Sequence, residues 1–241
     1  ELTHLSKDME IKHLFLKDES RNPTHSFKAR GLAAAVSKAR ELEIKSFVIP
    51  TAGNAGAALA AYCARSCSRA VIYMPKDTPI ENVIYCQRSG AEVILIDGLI
   101  DECGKLARLR AREENLFDVS TFREPYRLEG KKVMGFEIAE QYGYELPDVI
   151  FYPTGGGTGL VGIWKAFQEL LQMNWLNTIK LPRMIAVQST GCAPVVKSFH
   201  DHADSCESWS NASTVAAGLR VPKSFADRMI LRTIYQSKGS A

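Results

Sequence analysis

The feature that most constrains this chain is a regular alternation of short apolar runs with helical patterns from Ser46 onward. The runs SFVIPT, AVIYMP and EVILID are rich in β-branched residues, and a segment with helical periodicity follows each of them. Strands of a parallel sheet are covered by helices on both faces, which explains why these runs are apolar throughout. The pattern restarts with DVIFYPT and RMIAVQS, after a junction near residues 142–146. The sequence therefore predicts an α/β protein with two open parallel or mixed sheets flanked by helices.

Composition excludes several classes of function. The formal net charge is +3, and the 30 basic and 27 acidic residues are spread along the chain, unlike the concentrated basic stripe of a nucleic-acid binder. No apolar run approaches the length of a membrane span. The 6 cysteines are irregularly spaced, which favours free thiols in a reducing cytoplasm. His200, His202 and Cys206 share one polar stretch, but no second pair with ligand spacing accompanies them, so no metal site is expected.

Three segments depart from generic α/β sequence, and each lies where a predicted strand gives way to a helix. Ligands of open parallel sheets bind outside these strand ends. In the first segment, NPTHSFKARG, a predicted strand LFLKDE ends at Glu19, Pro23 forces a turn, and Lys28 lies in the first turn of the next helix. The positive end of the helix dipole lowers the pKa of a lysine there, which favours the neutral amine that a Schiff base needs. A solvated surface lysine is the alternative for this residue taken alone.

The second segment, PTAGNAG, follows the strand SFVI and opens an alanine-rich helix. Its small residues let backbone amides approach an anion such as a substrate carboxylate. Asn54 offers a neutral hydrogen bond to a ring hydroxyl, and a helix N-cap is the alternative interpretation of this residue.

The third segment, PTGGGTGL, follows the strand DVIFY and also opens a helix. Residues 155–159 include four glycines. Ordering so many glycines costs backbone entropy, so a purely structural turn rarely contains them. Their exposed N–H groups form a nest for phosphate at a helix N-terminus. The spacing Gly157-x-Gly159-x-x-Gly162 formally matches the dinucleotide fingerprint, but the next strand ends in Gln188-Ser189 and lacks the acid that holds ribose. We therefore interpret the loop as a monophosphate site.

In this order and at these separations, the three segments resemble those of the fold-type II pyridoxal-phosphate (PLP) enzymes, and the resemblance covers nearly the whole chain. It implies PLP as the cofactor, with Lys28 as the catalytic residue that carries it as a Schiff base. The cofactor-binding residues that it implies are Lys28, Asn54, Gly155, Gly156, Gly157, Thr158 and Gly159. The residues that it implies for a small amino-acid substrate are Thr51, Ala52 and Ala55.

Within this superfamily, the stretch RLEGKK at 127–132 is similar to one in the threonine synthases. That likeness implies conversion of O-phosphohomoserine and water to threonine and phosphate, with Lys28 moving protons between Cα and Cβ. We expect Ser120 and Arg127 to grip the departing phosphate through charge-assisted bonds. One alternative is a threonine or serine dehydratase in which the same lysine performs β-elimination. Another is a non-catalytic, ligand-binding remnant of the family.

The resemblance also implies a division into two domains with the active site in the cleft between them. The smaller domain is expected over residues 32–142, and the larger, PLP-binding domain over residues 1–31 and 143–241. Enzymes of this group begin with a further segment and continue well beyond this length, so we expect the chain to be truncated at both ends. We expect a cytoplasmic homodimer without nucleic-acid or membrane partners.

Overall fold

A computed structural model describes residues 1–51 and 53–241 and contains two parallel β-sheets. The four-stranded sheet has the order β3-β2-β1-β4, and the two-stranded sheet pairs β5 with β6. The strands are β1 (Ser46–Pro50), β2 (Arg69–Pro75), β3 (Glu92–Ile96), β4 (Phe117–Asp118), β5 (Val149–Pro153) and β6 (Arg183–Val187). All the strand pairs named here are parallel, which confirms the predicted α/β class.

Helices precede, separate and follow these strands. They are α1 (Thr3–Asp8), α2 (Lys28–Glu41), α3 (Asn54–Arg65), α4 (Ile80–Arg88), α5 (Ile100–Glu113), α6 (Tyr126–Gln141), α7 (Thr158–Gln172), α8 (Pro194–His200) and α9 (Asp227–Gln236). Short 3-10 turns cover Glu19–Arg21, Pro23–His25 and Ala217–Leu219. None of the helices within residues 1–51 and 53–241 is long and apolar enough to cross a membrane.

The central strands are buried on both faces, as their uniformly apolar sequences predict. Residues 47–49 of β1 and 70–75 of β2 are buried, whereas the edge strand β3 is partly exposed along its length. Helices α2 and α3 pack on one face of this sheet, and α5 covers the other. A strand covered on both sides has no polar face, which removes the alternation expected of a half-exposed strand.

The prediction of a strand over LFLKDE was wrong. Residues 14–18 have no regular secondary structure, and the 3-10 turn begins at Glu19. The backbone oxygen of Leu14 accepts a bond from Leu2 N at 2.8 Å, and Phe15 and Leu16 remain exposed. An apolar run becomes a strand only where a neighbouring strand pairs with it, and this run pairs with none in the described part of the chain.

A second core lies around α7 and joins it to α6, α9 and the sheet of β5 and β6. Helix α6 also packs against α2, so it connects the helix that begins at Lys28 with the helix that follows the glycine loop. The division into domains of residues 32–142 and the remainder stays a proposal.

Candidate active site

The loops of the three sequence segments contact one another in the structure. The Phe27 and Tyr152 rings meet edge to face with centroids 6.1 Å apart, and the Tyr152 hydroxyl occupies the space where a Cβ on Gly159 would lie. Helix α3 packs against the 3-10 turn Pro23–His25. A Cβ added to Gly156 would lie 3.3 Å from Thr121 Cγ2, which comes just after β4. The segments that carry Lys28, Asn54 and the glycines therefore surround one site.

Lys28 is the first residue of α2 and carries an amine with perturbed acidity. The residue is partly buried, and its Nζ lies 3.8 Å from the centroid of the Phe27 ring. Burial, and secondly the charge of Arg127, lowers the pKa of Lys28 to about 7. The sequence predicted this direction from the helix dipole, but desolvation and a second cation are the causes found. In a large share of the molecules the Lys28 amine is therefore uncharged at neutral pH, which is the form that acts as a nucleophile.

The turn before Lys28 has strained backbone. Thr24 and His25 have φ values of 64° and 54°, a region that side chains other than glycine rarely adopt. The hydroxyls of Thr24 and Ser26 are buried without a hydrogen-bond partner among residues 1–51 and 53–241. Strain and unpartnered polar groups of this kind concentrate at functional sites, which supports a ligand at this turn.

Arg30 fastens the start of α2 to its surroundings and was not among the predicted residues. Its Nε donates to Glu19 Oε2 at 2.6 Å, and its Nη1 donates to Glu137 Oε1 at 2.7 Å. Glu137 also pairs with Lys17 at 2.7 Å. The Arg30 side chain is 14% exposed, so these bonds are shielded from water and fix the position of Lys28, two residues earlier.

The second predicted segment forms the tight turn between β1 and α3. Gly53 is the N-cap and Asn54 is the first helical residue, with its side chain exposed. The Thr51 hydroxyl accepts a bond from Gly53 N at 3.2 Å, so it shapes the turn. Ala55 is buried in the core between the four-stranded sheet and the helices α2 and α3, and Ala52 lies outside the described residues. The first N–H groups of a helix have no intrahelical partners, so this end can receive an anion.

The glycine loop leads from β5 into α7 at residues 154–158. Gly157 is the N-cap of α7 and has a φ of 76°, and a Cβ there would lie 2.3 Å from the Ile230 side chain. Gly155 is buried against the Gly218 backbone, and Thr158 begins the helix. Packing against the protein thus requires glycine at Gly155, Gly157 and Gly159, and the first N–H groups of α7 follow without a side-chain cap.

Gln188 holds this loop in place, a role that its sequence position did not predict. Its Nε2 donates to Thr154 O at 2.9 Å, and its Oε1 accepts from Val195 N at 2.8 Å. Thr154 N in turn donates to Val187 O at 2.8 Å. Gln188 stands where a dinucleotide-binding site would have its ribose-binding acid. Here it connects the glycine loop to the start of α8.

Beside Lys28 lie two buried basic side chains from the first turns of α6. Arg127 is 2% exposed, and its Nη1 donates to Val119 O at 2.5 Å. Burial lowers the pKa of Arg127 to about 10, against the opposing effect of Glu124 and Asp118. Lys131, one helical turn later, is fully buried, and burial together with Arg127 and Lys28 holds its pKa well below the usual range.

Ser120 occupies the same region but has a local partner. Its backbone N donates to Asp118 Oδ1 at 2.9 Å, and its hydroxyl donates to the same oxygen. The two predicted phosphate-binding residues, Arg127 and Ser120, therefore differ in whether they are free to bind a phosphate. Arg127 Nε has no hydrogen-bond partner in the part of the chain that the structure describes, whereas the Ser120 hydroxyl is engaged.

Comparison with known proteins agrees with this geometry. A family model described as pyridoxal-phosphate-dependent enzyme matches residues 1–241. The chain belongs to this family. It is 32% identical over 239 residues to threonine synthase of Methanocaldococcus jannaschii and 34% identical over 238 residues to threonine synthase of Methanosarcina acetivorans. These alignments cover 99% and 98% of the chain but 58% of each relative, so the chain spans less than two thirds of their length.

Solved structures show the same architecture for this family member. The processed form of threonine deaminase isoform 2 from Solanum lycopersicum superimposes with a TM-score of 0.79 at 25% identity, covering 96% of this chain and 61% of that one. Diaminopropionate ammonia lyase from Escherichia coli gives a TM-score of 0.80 at 21% identity, covering 96% and 63%. The second likeness concerns the fold alone.

The residues present fit the pyridoxal 5'-phosphate of the family. Lys28 supplies a lysine amine of lowered pKa, and the N-terminus of α7 at Gly157 supplies the phosphate-directed backbone. The buried, unpartnered hydroxyls of Thr24 and Ser26 lie on the Lys28 segment. We expect Lys28 to hold the aldehyde end of the cofactor and the glycine loop its phosphate.

Proposed function

We propose that the protein is a threonine synthase, which converts O-phosphohomoserine and water to threonine and phosphate. The observation that carries this proposal is that Arg127 and Lys131 are buried beside Lys28 with Glu124 as their buried acid, while Asp118 is partly exposed. Arg127 and Lys131 are both enclosed, and the acidic groups that influence them are Glu124 and Asp118. A substrate phosphate would offset the charge of Arg127 and stabilise the protonated form of Lys131, whereas a hydroxy amino acid with no net charge brings no surplus anion. The likeness to threonine synthases over nearly the whole chain supports the same choice.

Lys28 performs the proton transfers in this proposal. When bound, the cofactor supplies an electron sink for charge that develops on the substrate carbons. Lys28 Nζ, with a pKa of about 7, takes a proton from one substrate carbon and returns it to the next at neutral pH. Arg30 keeps the start of α2 in position through Glu19 and Glu137 while these transfers occur.

The substrate's charged ends are assigned to two places. Thr51 and Ala55 are proposed to receive the substrate carboxylate, together with Ala52, which lies outside the described residues. The exposed Asn54 side chain is proposed to bond the ring oxygen of the cofactor. Arg127, with Ser120 at its side, is proposed to bind the phosphate that leaves. The Ser120 hydroxyl must exchange its bond to Asp118 for this contact.

Parallel product assays test the proposal. The full-length protein loaded with PLP is incubated with O-phosphohomoserine, and released phosphate and threonine are quantified together. Equal amounts of both products support threonine synthase. Formation of 2-oxobutanoate from threonine, without phosphate release from O-phosphohomoserine, refutes it.

A threonine or serine dehydratase is the second candidate. The 25% identity and TM-score of 0.79 to a threonine deaminase favour it, because the same lysine and glycine loop serve β-elimination. An Arg127→Leu variant separates the candidates. In a synthase it raises the KM for O-phosphohomoserine, whereas a dehydratase, whose substrate has no phosphate, keeps its KM for threonine.

We further propose a cytoplasmic homodimer. All six cysteines are free thiols, five of them buried, as expected in a reducing compartment. Light scattering of the full-length protein tests the dimer, and a monomer mass across the micromolar range would refute it.

A further inference from the structure

Lys131 is a buried lysine that the proposed mechanism does not use. Its side chain is fully enclosed, and its Nζ has no hydrogen-bond partner among residues 1–51 and 53–241. Burying an ammonium without an acceptor is strongly unfavourable, so the amine is held uncharged. Buried polar atoms without partners are uncommon in folded proteins and call for an explanation.

The position of Lys131 places its amine next to the segment that carries Lys28. Lys131 Nζ lies 5.0 Å from the Phe27 ring centroid, and Lys28 Nζ lies 3.8 Å from the same point. The two nitrogens can therefore be separated by no more than the sum of these distances. Lys131 Nζ also lies 3.0 Å from the position that a Cβ on Gly31 would take, so it contacts the first turn of α2 directly.

The charges that face Lys131 come from two parts of the chain. Arg127 lies in the first turn of α6 and Glu124 just before that helix, whereas Lys28 begins α2. Helix α7 contributes Gly162, where an added Cβ would lie 3.3 Å from the Lys131 backbone carbon, and it brings no charge. The Glu124 carboxylate accepts a bond from Arg127 N at 3.0 Å but none from Lys131 Nζ. Two basic groups and one acid thus surround an amine that lacks an acceptor.

We propose that Lys131 is an anion-binding residue of the active site, uncharged while no anion is bound and protonated when a phosphate group enters. An oxyanion beside Arg127 and Lys131 would accept hydrogen bonds from both, and its charge would offset the repulsion between them. The phosphate has two sources, the cofactor or the substrate. The inference rests on the proposed function for the second source.

Lys132 provides a matched control on the same helix. Its Nζ pairs with Glu129 at 2.5 Å and with Glu169 at 2.7 Å, and these carboxylates raise the pKa of Lys132. It therefore keeps its proton whether or not an anion is bound. Lys131→Met and Lys132→Met remove one amine each from adjacent positions while conserving side-chain length.

Calorimetry measures the proposed proton uptake without turnover. Sulfate serves as the probe because it does not titrate near pH 8. In one arm, sulfate is titrated into the PLP-loaded, full-length protein; in the other, PLP is titrated into the apoprotein. Each arm is run in two buffers of different ionisation enthalpy, which gives the protons exchanged per bound ligand. Subtracting the Lys131→Met value from the wild-type value removes the protons exchanged by groups whose pKa the substitution does not change.

The expected result is that wild type takes up more protons than Lys131→Met in at least one arm, by up to about one per site, while Lys132→Met behaves as wild type. The corresponding affinity falls about tenfold or more in Lys131→Met. Uptake with sulfate assigns Lys131 to the substrate phosphate, and uptake with PLP alone assigns it to the cofactor phosphate. Equal uptake and affinity in wild type and Lys131→Met in both arms would overturn the proposal.

Two further measurements keep the outcome unambiguous. Thermal unfolding checks that Lys131→Met folds. Lys131→Gln keeps a polar end without a titratable amine, so it must show the same loss of proton uptake as Lys131→Met. Because no arm involves turnover, the two proposals can fail separately. A protein that shows Lys131-dependent uptake but releases no phosphate from O-phosphohomoserine would refute threonine synthase and leave the anion site intact.

Discussion

Replacement of Gly157 by alanine tests the geometry of the glycine loop most directly. Gly157 has a φ of 76°, and an alanine there costs about 1–2 kcal/mol for the left-handed backbone. The new Cβ would lie 2.3 Å from Ile230 Cδ1 and Cγ1. Ile230 is fully buried and β-branched, so it moves aside only at an overpacking cost of about 1–3 kcal/mol. We therefore expect Gly157→Ala to reduce the free energy of unfolding by about 2–5 kcal/mol.

Two controls separate the backbone cost from the packing cost. Gly90 has a similar φ of 81°, but nothing lies within 4 Å of the position of an added Cβ. Gly90→Ala should therefore show the backbone cost alone, about 1–2 kcal/mol. Adding Ile230→Ala to Gly157→Ala removes the clashing side chain, so the double variant should lose less stability than the sum of the two single variants.

Urea unfolding of the apoprotein gives these free energies, and titration with PLP gives the functional effect. A shifted loop at the start of α7 weakens the phosphate cradle, so Gly157→Ala should also bind PLP more weakly than wild type. Gly90→Ala, at the end of α4, should bind PLP as wild type does. The reasoning is refuted if Gly157→Ala loses no more stability than Gly90→Ala and binds PLP equally well.

Three further predictions follow from the start of α2. Lys28→Ala should abolish the visible absorbance of bound PLP while circular dichroism stays native, and an unchanged absorbance spectrum would exclude Lys28 as the attachment site. Because the pKa of Lys28 falls from 10.5 unfolded to about 7 folded, the unfolded chain holds an extra proton between these pH values. The melting temperature of the wild-type apoprotein should consequently rise with pH from about 7 towards 10 more steeply than that of Lys28→Met. Identical slopes of melting temperature against pH in the two proteins would contradict this prediction. Arg30→Met leaves Glu19 and Glu137 without their shielded partner and should lower the free energy of unfolding in urea by about 2–4 kcal/mol. Lys38→Met breaks an exposed pair and should lower it by less than about 1 kcal/mol. Equal losses in the two variants would show that the Arg30 bonds contribute little.

The sequence predicted those elements whose identity depends on local pattern and burial. The helix that the sequence opens at PTGGGTGL is α7, the run SFVIPT contains β1, and the run AVIYMP covers all of β2 except Arg69. Both signals arise from short-range periodicity and from cover on two faces. The run LFLKDE carries the same apolar signal and forms no strand, because pairing depends on a partner elsewhere in the fold. Helix α1 was missed, since its six residues are too few to show a clear apolar stripe.

The candidate site was predictable to the extent that it lies in continuous segments. Lys28 and the glycine loop are identified by neighbours a few positions away. The bond from Arg30 to Glu137 joins residues 107 positions apart, and a single sequence gives no sign of such a pair. Lys131 was missed for a related reason: a lysine on a helix is ordinarily solvated, and its full burial follows only from the packing of α6 against α2 and α7.

Charge balance in the buried site links the proposed chemistry to the choice of substrate. Arg127 contributes to the lowered pKa of both Lys28 and Lys131, so its positive charge makes protonation of these two amines less favourable. A substrate without a phosphate leaves this repulsion in place and keeps Lys28 mostly unprotonated above pH 7. A substrate phosphate relaxes it, raises the pKa of the amines, and lets Lys28 hold the proton that it must return to the substrate. The pH at which the reaction rate changes should therefore lie higher with O-phosphohomoserine bound than in the free enzyme, and the shift should shrink in Lys131→Met. Identical pH profiles for kcat and kcat/KM in wild type would show that the phosphate does not reach these bases.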